Sequence, residues 1–184
     1  FAVSMWVLRT NDLVWYDYIA FAFSVGVVTG ISINTAHELG HKTDGFERWL
    51  AKITLAPVAY GHFFVEHNRG HHVRVATPAD PASARYGESF WEFLPRTVVG
   101  SVKSAWALEK RRLEQQGLSV WSWRNDVLNA WAMTVVLWGV CIAFVGLKAV
   151  PFLIIQAVYG ASLLEVVNYL EHYGLCRQQL PSGR

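Results

Sequence analysis

YIAFAFSVGVVTGISINTA, Tyr18 to Ala36, runs 19 residues without a charge and ends directly on HELGH, His37 to His41. As a helix the run is about 28 Å long, close to the roughly 30 Å hydrocarbon core of a bilayer. It therefore reads as a membrane span, at about 14–36, that carries two histidines to one membrane face. Two further runs have the same character: Val127 to Leu147 lacks any charge, and Ala149 to Leu170 is interrupted only by Glu165. They predict spans at 127–147 and 149–170, joined as a hairpin by the short turn around Gly146 to Pro151. All three runs are too long and too late in the chain for a signal peptide.

The composition agrees. Hydrophobic residues make up 53% of the 184 residues and charged ones 16%, where about a quarter is usual. Such a chain buries ample apolar surface, which excludes disorder, and its length suits one domain over 1–184. A formal charge of +2 is too small a footprint for nucleic acid. Cys141 and Cys176 form no disulfide framework and read as free thiols. The expected fold is all-α, a polytopic transmembrane helical protein.

Sidedness follows from Lys and Arg. Twelve lie between the first span and the hairpin, and Arg177 and Arg184 follow it, leaving only Arg9 and Lys148 on the other side. The basic side faces the cytoplasm. The segment 74–126 is expected as helical pieces on or just outside the membrane surface, amphipathic from Phe90 to Leu118.

Six of the seven histidines fall in three groups. They are His37 and His41; His67, His71 and His72 in EHNRGHH; and His172 in NYLEHYGL. Residues four apart share a helix face, so His37 with His41, and His67 with His71, each present two imidazoles together. His72 points about 100° away from His71, which suits a second metal. His62 stands outside the groups and reads as an ordinary packed histidine. If 49–66 crossed the membrane once, the first two groups would face opposite sides. That segment is therefore expected to be re-entrant or interfacial, with Pro57 and Gly61 permitting a bend.

HELGH is also a literal H-E-x-x-H, the pattern of a zinc protease with Glu38 as general base. Such a site needs one further ligand, whereas four more histidines are available here. Six imidazoles imply two metals, and imidazole alone does not choose among iron, zinc, copper and nickel. Glu38, Glu66 and Glu171 each adjoin a histidine and are candidates to fix imidazole tautomers, or are ordinary surface carboxylates. Glu165 and Asn168 share the helix face of His172, and a carboxylate inside a span is functional by default.

Helical arithmetic at 100° per residue places Gly30 on the metal-facing direction of the first span. Ile19, Phe23, Gly26 and Asn34 lie near it, and a one-residue change of phase adds Val27 and Ile31. This stripe reads as a channel for an unbranched chain or, because Gly26-x-x-x-Gly30 favours close approach, as a helix contact. Lys103, Lys110, Arg111 and Arg112 form a basic run that suits docking of an acidic electron carrier or anchoring to anionic lipid.

HELGHK, EHNRGHH and NYLEHYGL, with the intervening ATPADPASARYGESFWEFLPR, resemble the integral-membrane alkane 1-monooxygenases along essentially the whole chain. The resemblance implies two non-haem irons, with no flavin or haem held by this chain. It implies insertion of one oxygen atom of O2 into a terminal C–H bond of an n-alkane. Electrons would come from rubredoxin, reduced by an NAD(P)H-dependent reductase, at a bacterial inner membrane. The implied ligands are His37, His41, His67, His71, His72 and His172. Related diiron membrane enzymes, fatty-acyl desaturases or aryl-methyl hydroxylases, are the alternative. The family has a further His-x-x-His-His cluster downstream, before which this chain ends. The chain therefore reads as an internal piece that is inactive alone.

Overall fold

The computed structural model describes residues 1–178, among which every regular element is helical. Arg184, counted above on the basic side, lies outside the described residues. Helix α1 covers Ala2–Thr10, α2 Trp15–Gly40 and α3 Gly45–Leu55. A short α4, Phe63–Glu66, runs into a π-helical turn, His67–His71, and a last turn, α5, His72–Arg74. Then come α6 Phe90–Gln115, α7 Asp126–Val145 and α8 Ala149–His172. Helices α2, α7 and α8 are long and apolar enough to cross a membrane.

Their ends follow from local chemistry. Asn125 caps α7 by accepting from the Val127 and Leu128 N–H groups, and Asp44 does the same for α3. A reciprocal Ser89–Glu92 capping box starts α6. Helix α7 stops at Gly146, whose φ of 93° ordinary residues rarely adopt.

The longest contact joins α2 and α8. Gly26 and Gly30 lie against the α8 backbone, where a Cβ on Gly30 would stand 3.0 Å from the Gly160 carbonyl oxygen. Thr29 donates to the Gln156 side-chain oxygen at 2.9 Å across the same seam. The groove expected along this face is thus filled by helix backbone, as small residues permit. Of the remaining stripe, Ile19 is half-buried and Asn34 exposed, while Phe23 is 43% exposed with its ring edge-on to Tyr159. A Gly30→Leu substitution tests this packing. It should wedge α2 from α8, at about 1–3 kcal/mol or more. Protein yield and metal content of the full-length protein should fall together, as size-exclusion chromatography with elemental analysis would show.

Helix α3 packs back along α2, with Ala51 and Leu55 in one core with Ile33 and Ala36. The chain then turns, and the Pro57 carbonyl accepts from Gln156 Nε2 at 2.6 Å and from Trp138 Nε1 at 3.3 Å. Gln156 lies about 24 Å along α8 from His172, so this turn reaches deep before α4 climbs back to His67. Close approach is needed at Gly61, where a Cβ would stand 2.6 Å from that of Ala130 on α7.

Helix α1 departs from the expected layout, whereas α6 matches the amphipathic stretch expected from Phe90. Helix α1, not foreseen, closes the end remote from the histidines. Its Met5 and Leu8 are buried with Cys141 and Phe152, and Arg9 donates to the Phe144 carbonyl at 3.0 Å. Helix α6 is one continuous helix that buries Phe93, Thr97, Ser101, Ala105, Glu109 and Leu113, a single stripe at intervals of four. Cys141 is buried and Cys176 exposed, and both are free thiols.

Candidate metal centre

His37 lies in the last turn of α2 and His41 is the residue that caps its C-terminus, with their Nε2 atoms 2.9 Å from each other. The second group does not follow α-helical spacing. In an α-helix residues five apart lie about 140° apart around the axis. Here the turn widens into a π-helix, and the His72 N–H reaches the His67 carbonyl. The widened turn puts His67 and His72 on one face, their Nε2 atoms 2.9 Å apart. His37, His41, His67 and His72 offer ligand atoms all within 4.8 Å of one another. The expected pairing of His67 with His71 is therefore replaced by His67 with His72. Turns of this kind concentrate at functional sites.

Gly70 permits the widening. A methyl group there would collide with the Arg74 guanidinium and the Glu66 carboxylate, which form an ion pair at 2.8 Å. Gly70→Ala should push the segment toward α-helical spacing and rotate His72 out of the group. The expected result is metal content reduced at least tenfold with helical circular dichroism retained. Full metal occupancy would show that the π turn is not needed.

His71 turns the other way. It is buried, its ring 4.8 Å from that of His172 and 5.3 Å from that of His67. The His71 Nδ1 lies 2.9 Å from Asp80 Oδ2, and His172 Nδ1 donates to the Asn168 carbonyl at 2.9 Å. With Nδ1 protonated in both rings, each Nε2 carries a free lone pair, the arrangement metal-bound imidazoles use. The loop 75–89 holds the pair together. The Gly174 N–H donates to the Ala84 carbonyl, the Arg177 N–H to the Ala76 carbonyl, and the Gly87 N–H to the Tyr173 oxygen.

Asp80 was not legible as a site residue. It is 1% exposed and also accepts from Ser83 Oγ at 2.6 Å and from the Ala82 N–H. Burial pushes its carboxyl up, but the His71 and Ser83 hydrogen bonds outweigh that and hold it below the usual range. The available signal was an Asp nine residues after His71, within a loop too irregular to project onto a helix face.

The carboxylates expected beside the histidines divide. Glu38 Oε1 is 3.3 Å from His37 Nδ1 on an exposed side chain. Glu66 instead pairs with Arg74, leaving its buried Oε2 without a partner, and burial pushes its carboxyl up. Glu171 is exposed and hydrogen-bonds to no histidine among the described residues. Glu165, deeply buried, accepts from the Tyr60 and Thr97 hydroxyls at 2.7 and 2.9 Å and from Asn168 Nδ2. It ties α8 to the turn at Tyr60 and to α6, and reaches His172 only through Asn168.

Burial, then the adjacent imidazoles, push His67 far below the ordinary histidine value, and the same causes lower His72. Neutral imidazoles that repel one another's protons are what a cation needs. The donor set fits a metal that favours nitrogen ligands. His62, outside the cluster, is buried against Tyr60, and burial takes it to about 4.

The basic run divides too. Lys103, Lys110 and Arg111 are exposed on α6. Arg112 lies on the opposite face, where it donates to both Glu109 oxygens at 2.9 and 2.7 Å and to the Arg124 carbonyl. Buried Glu109 also pairs with Arg69 of the π turn, which reaches Asp126 at 2.8 Å; Lys52 completes the cluster, 2.6 Å from Asp126. Arg112 thus belongs to a cluster that anchors the π turn to α3, α6 and α7. It is not a free docking residue.

The chain is 49% identical over 182 residues to an alkane 1-monooxygenase of Pseudomonas putida, covering 99% of this chain and 45% of that protein. It is 50% identical, with the same coverage, to alkane 1-monooxygenase 1 of Alcanivorax borkumensis. It is 28% identical over 156 residues to the xylene/toluene monooxygenase hydroxylase component of Pseudomonas putida, 84% of this chain and 42% of that one. The chain thus spans about half the length of these relatives. A family model for fatty acid desaturases matches residues 13–183, from the foot of the first span past all three histidine groups. An all-helical chain that gathers its histidines at the ends of apolar helices, and matches that model almost throughout, belongs to the fatty acid desaturase family.

Proposed function

We propose that the intact protein hydroxylates n-alkanes at a terminal carbon, forming primary alcohols from O2, two electrons and two protons, with water as the second product. Two irons would be held by His37, His41, His67 and His72 on one side and by His71 and His172 on the other, with ligands from outside this chain completing the set. Iron bound there supplies the O2 chemistry that inserts oxygen into an unactivated C–H bond. The chain's own residues keep the imidazoles neutral and aimed, through Asp80 at His71 and the Asn168 carbonyl at His172. The observation that carries this reading is the convergence of four imidazoles with His71 and His172 directly alongside. Identity of 49–50% to alkane 1-monooxygenases, against 28% to the xylene/toluene enzyme, favours an alkane over an aryl-methyl substrate.

The test is expression of the full-length parent with a rubredoxin and its reductase. Oxygen-dependent 1-alkanol from an n-alkane is the expected product; an alkene from an acyl substrate, or benzylic alcohol alone, would favour the alternatives. The site would face the cytoplasm of a bacterial inner membrane, where rubredoxin meets α6. Reversing Lys103, Lys110 and Arg111 to Glu should raise the apparent KM for rubredoxin severalfold at low salt, and less at high salt as screening grows. An unchanged KM at low salt would assign these residues to lipid anchoring.

A further inference from the structure

We propose that the cleft between α3 and α7 is a binding site for one anionic phospholipid. Its phosphate would lie at the histidine end and an acyl chain along the apolar part. Two adjoining cavities make up the cleft. The polar one, about 360 Å³, lies at the start of α7 and is lined by Arg48, Lys52, Arg69, Arg112 and Arg124 around the single carboxylate Asp126. The apolar one, about 490 Å³, follows Ile53 and Ala56 on α3 and Met133, Val136 and Val140 on α7. Trp49 and Asn129 line both, so the basic pocket opens into the apolar groove.

Charge selects the headgroup. Asp126 and buried Glu109 satisfy Lys52, Arg69 and Arg112 at close range. Arg48 reaches Asp126 only at 3.9 Å. Arg124 makes no ion pair among the described residues and lies over the Trp123 ring at 5.6 Å. Five cations thus face two carboxylates, and the two least engaged are the most exposed. The positive end of the α7 dipole adds to this field. A zwitterionic lipid brings its own ammonium to the same place, whereas phosphatidylglycerol brings only negative charge.

Length selects the chain. From Asn129 to Val140 is about 16 Å along α7, about half of a bilayer's hydrocarbon core and thus one leaflet. Trp49 and Trp123, 46% and 78% exposed, sit where aromatic residues mark the membrane–water boundary. Basic pockets between helices on one membrane side are where acidic headgroups are held.

The experiment uses the full-length enzyme in mild detergent, with bound lipid read by native mass spectrometry. Delipidated enzyme should bind one phosphatidylglycerol at least tenfold more tightly than phosphatidylcholine of the same chains. Arg48→Gln with Arg124→Gln should bring that preference within about twofold. Met133→Trp, which fills the groove and leaves the cations in place, should weaken both lipids. No histidine ligand is altered, and wild-type binding alone is decisive if a variant fails to fold. Equal affinity for the two lipids, or unchanged binding in both variants, overturns the proposal. Displacement of phosphatidylglycerol by millimolar inorganic phosphate overturns it in favour of a free-anion site.

Discussion

His67→Ala in the intact protein should deplete bound metal and lower the proposed alkane hydroxylation together, with iron falling from the proposed two per chain to one or fewer and turnover by at least a hundredfold. The ring of His67 lies 4.4, 5.5 and 4.5 Å from those of His37, His41 and His72, and 5.3 Å from that of His71. It adjoins both groups, closer to His71 than His72 is at 5.8 Å. Its removal also frees the His72 Nε2 from its neighbour at 2.9 Å, so the group of four loses its geometry as well as a donor. His62→Ala is the matched control: it deletes a buried imidazole outside the cluster and should retain iron while costing stability. Elemental analysis of wild type and both variants decides the matter. One zinc per wild-type chain would sink the two-iron reading, and full iron occupancy in the His67 variant would remove that residue from the site.

The second large effect is expected at Asp80. Asp80→Asn places an amide opposite His71 Nδ1, so the imidazole is no longer held with its proton on that nitrogen. The proton then shifts toward Nε2, the atom with the free lone pair. Losing such a partner costs about 10–100-fold in metal affinity. Ser83→Ala separates orientation from loop stability, because it removes the other strong hydrogen bond to Asp80 Oδ2 and leaves the imidazole partner in place. Competition with a chelator should show the affinity loss in the Asn variant and little change in the Ala variant. Equal losses in both would mean that Asp80 only holds the loop.

Much of the architecture was legible in the chain because a bilayer restricts the solutions. Uncharged runs of this length have few alternatives to a spanning helix, since backbone polar groups find no partner in hydrocarbon except within a helix or a closed barrel. The re-entrant reading of 49–66 came from the need to bring His41 and His67 together. The chain does turn at Pro57, whose carbonyl is bound by Gln156 and Trp138. Charge and spacing could not foresee α1, whose nine residues are too few to span and whose partners lie more than 130 positions away. Nor could they show that Arg112 turns inward while Lys103, Lys110 and Arg111 face out, because its partners Glu109 and Arg124 belong to a cluster assembled from four segments.

The sequence by itself determined which residues are available for chemistry: three helices that suit a membrane, and six histidines gathered at the ends of apolar segments. Periodicity and composition suffice for that, because each depends only on near neighbours in the chain. Tertiary structure alone decided how the histidines are shared. The π turn, which Gly70 and the Glu66–Arg74 pair make possible, gives His72 rather than His71 to His67. The loop 75–89 brings Asp80 under His71 and holds His172 alongside. Whether Gly26 and Gly30 open a groove or seat a helix was likewise settled by Gly160, 130 residues further on. A glycine stripe specifies that something may approach closely, and only the packed chain supplies what does.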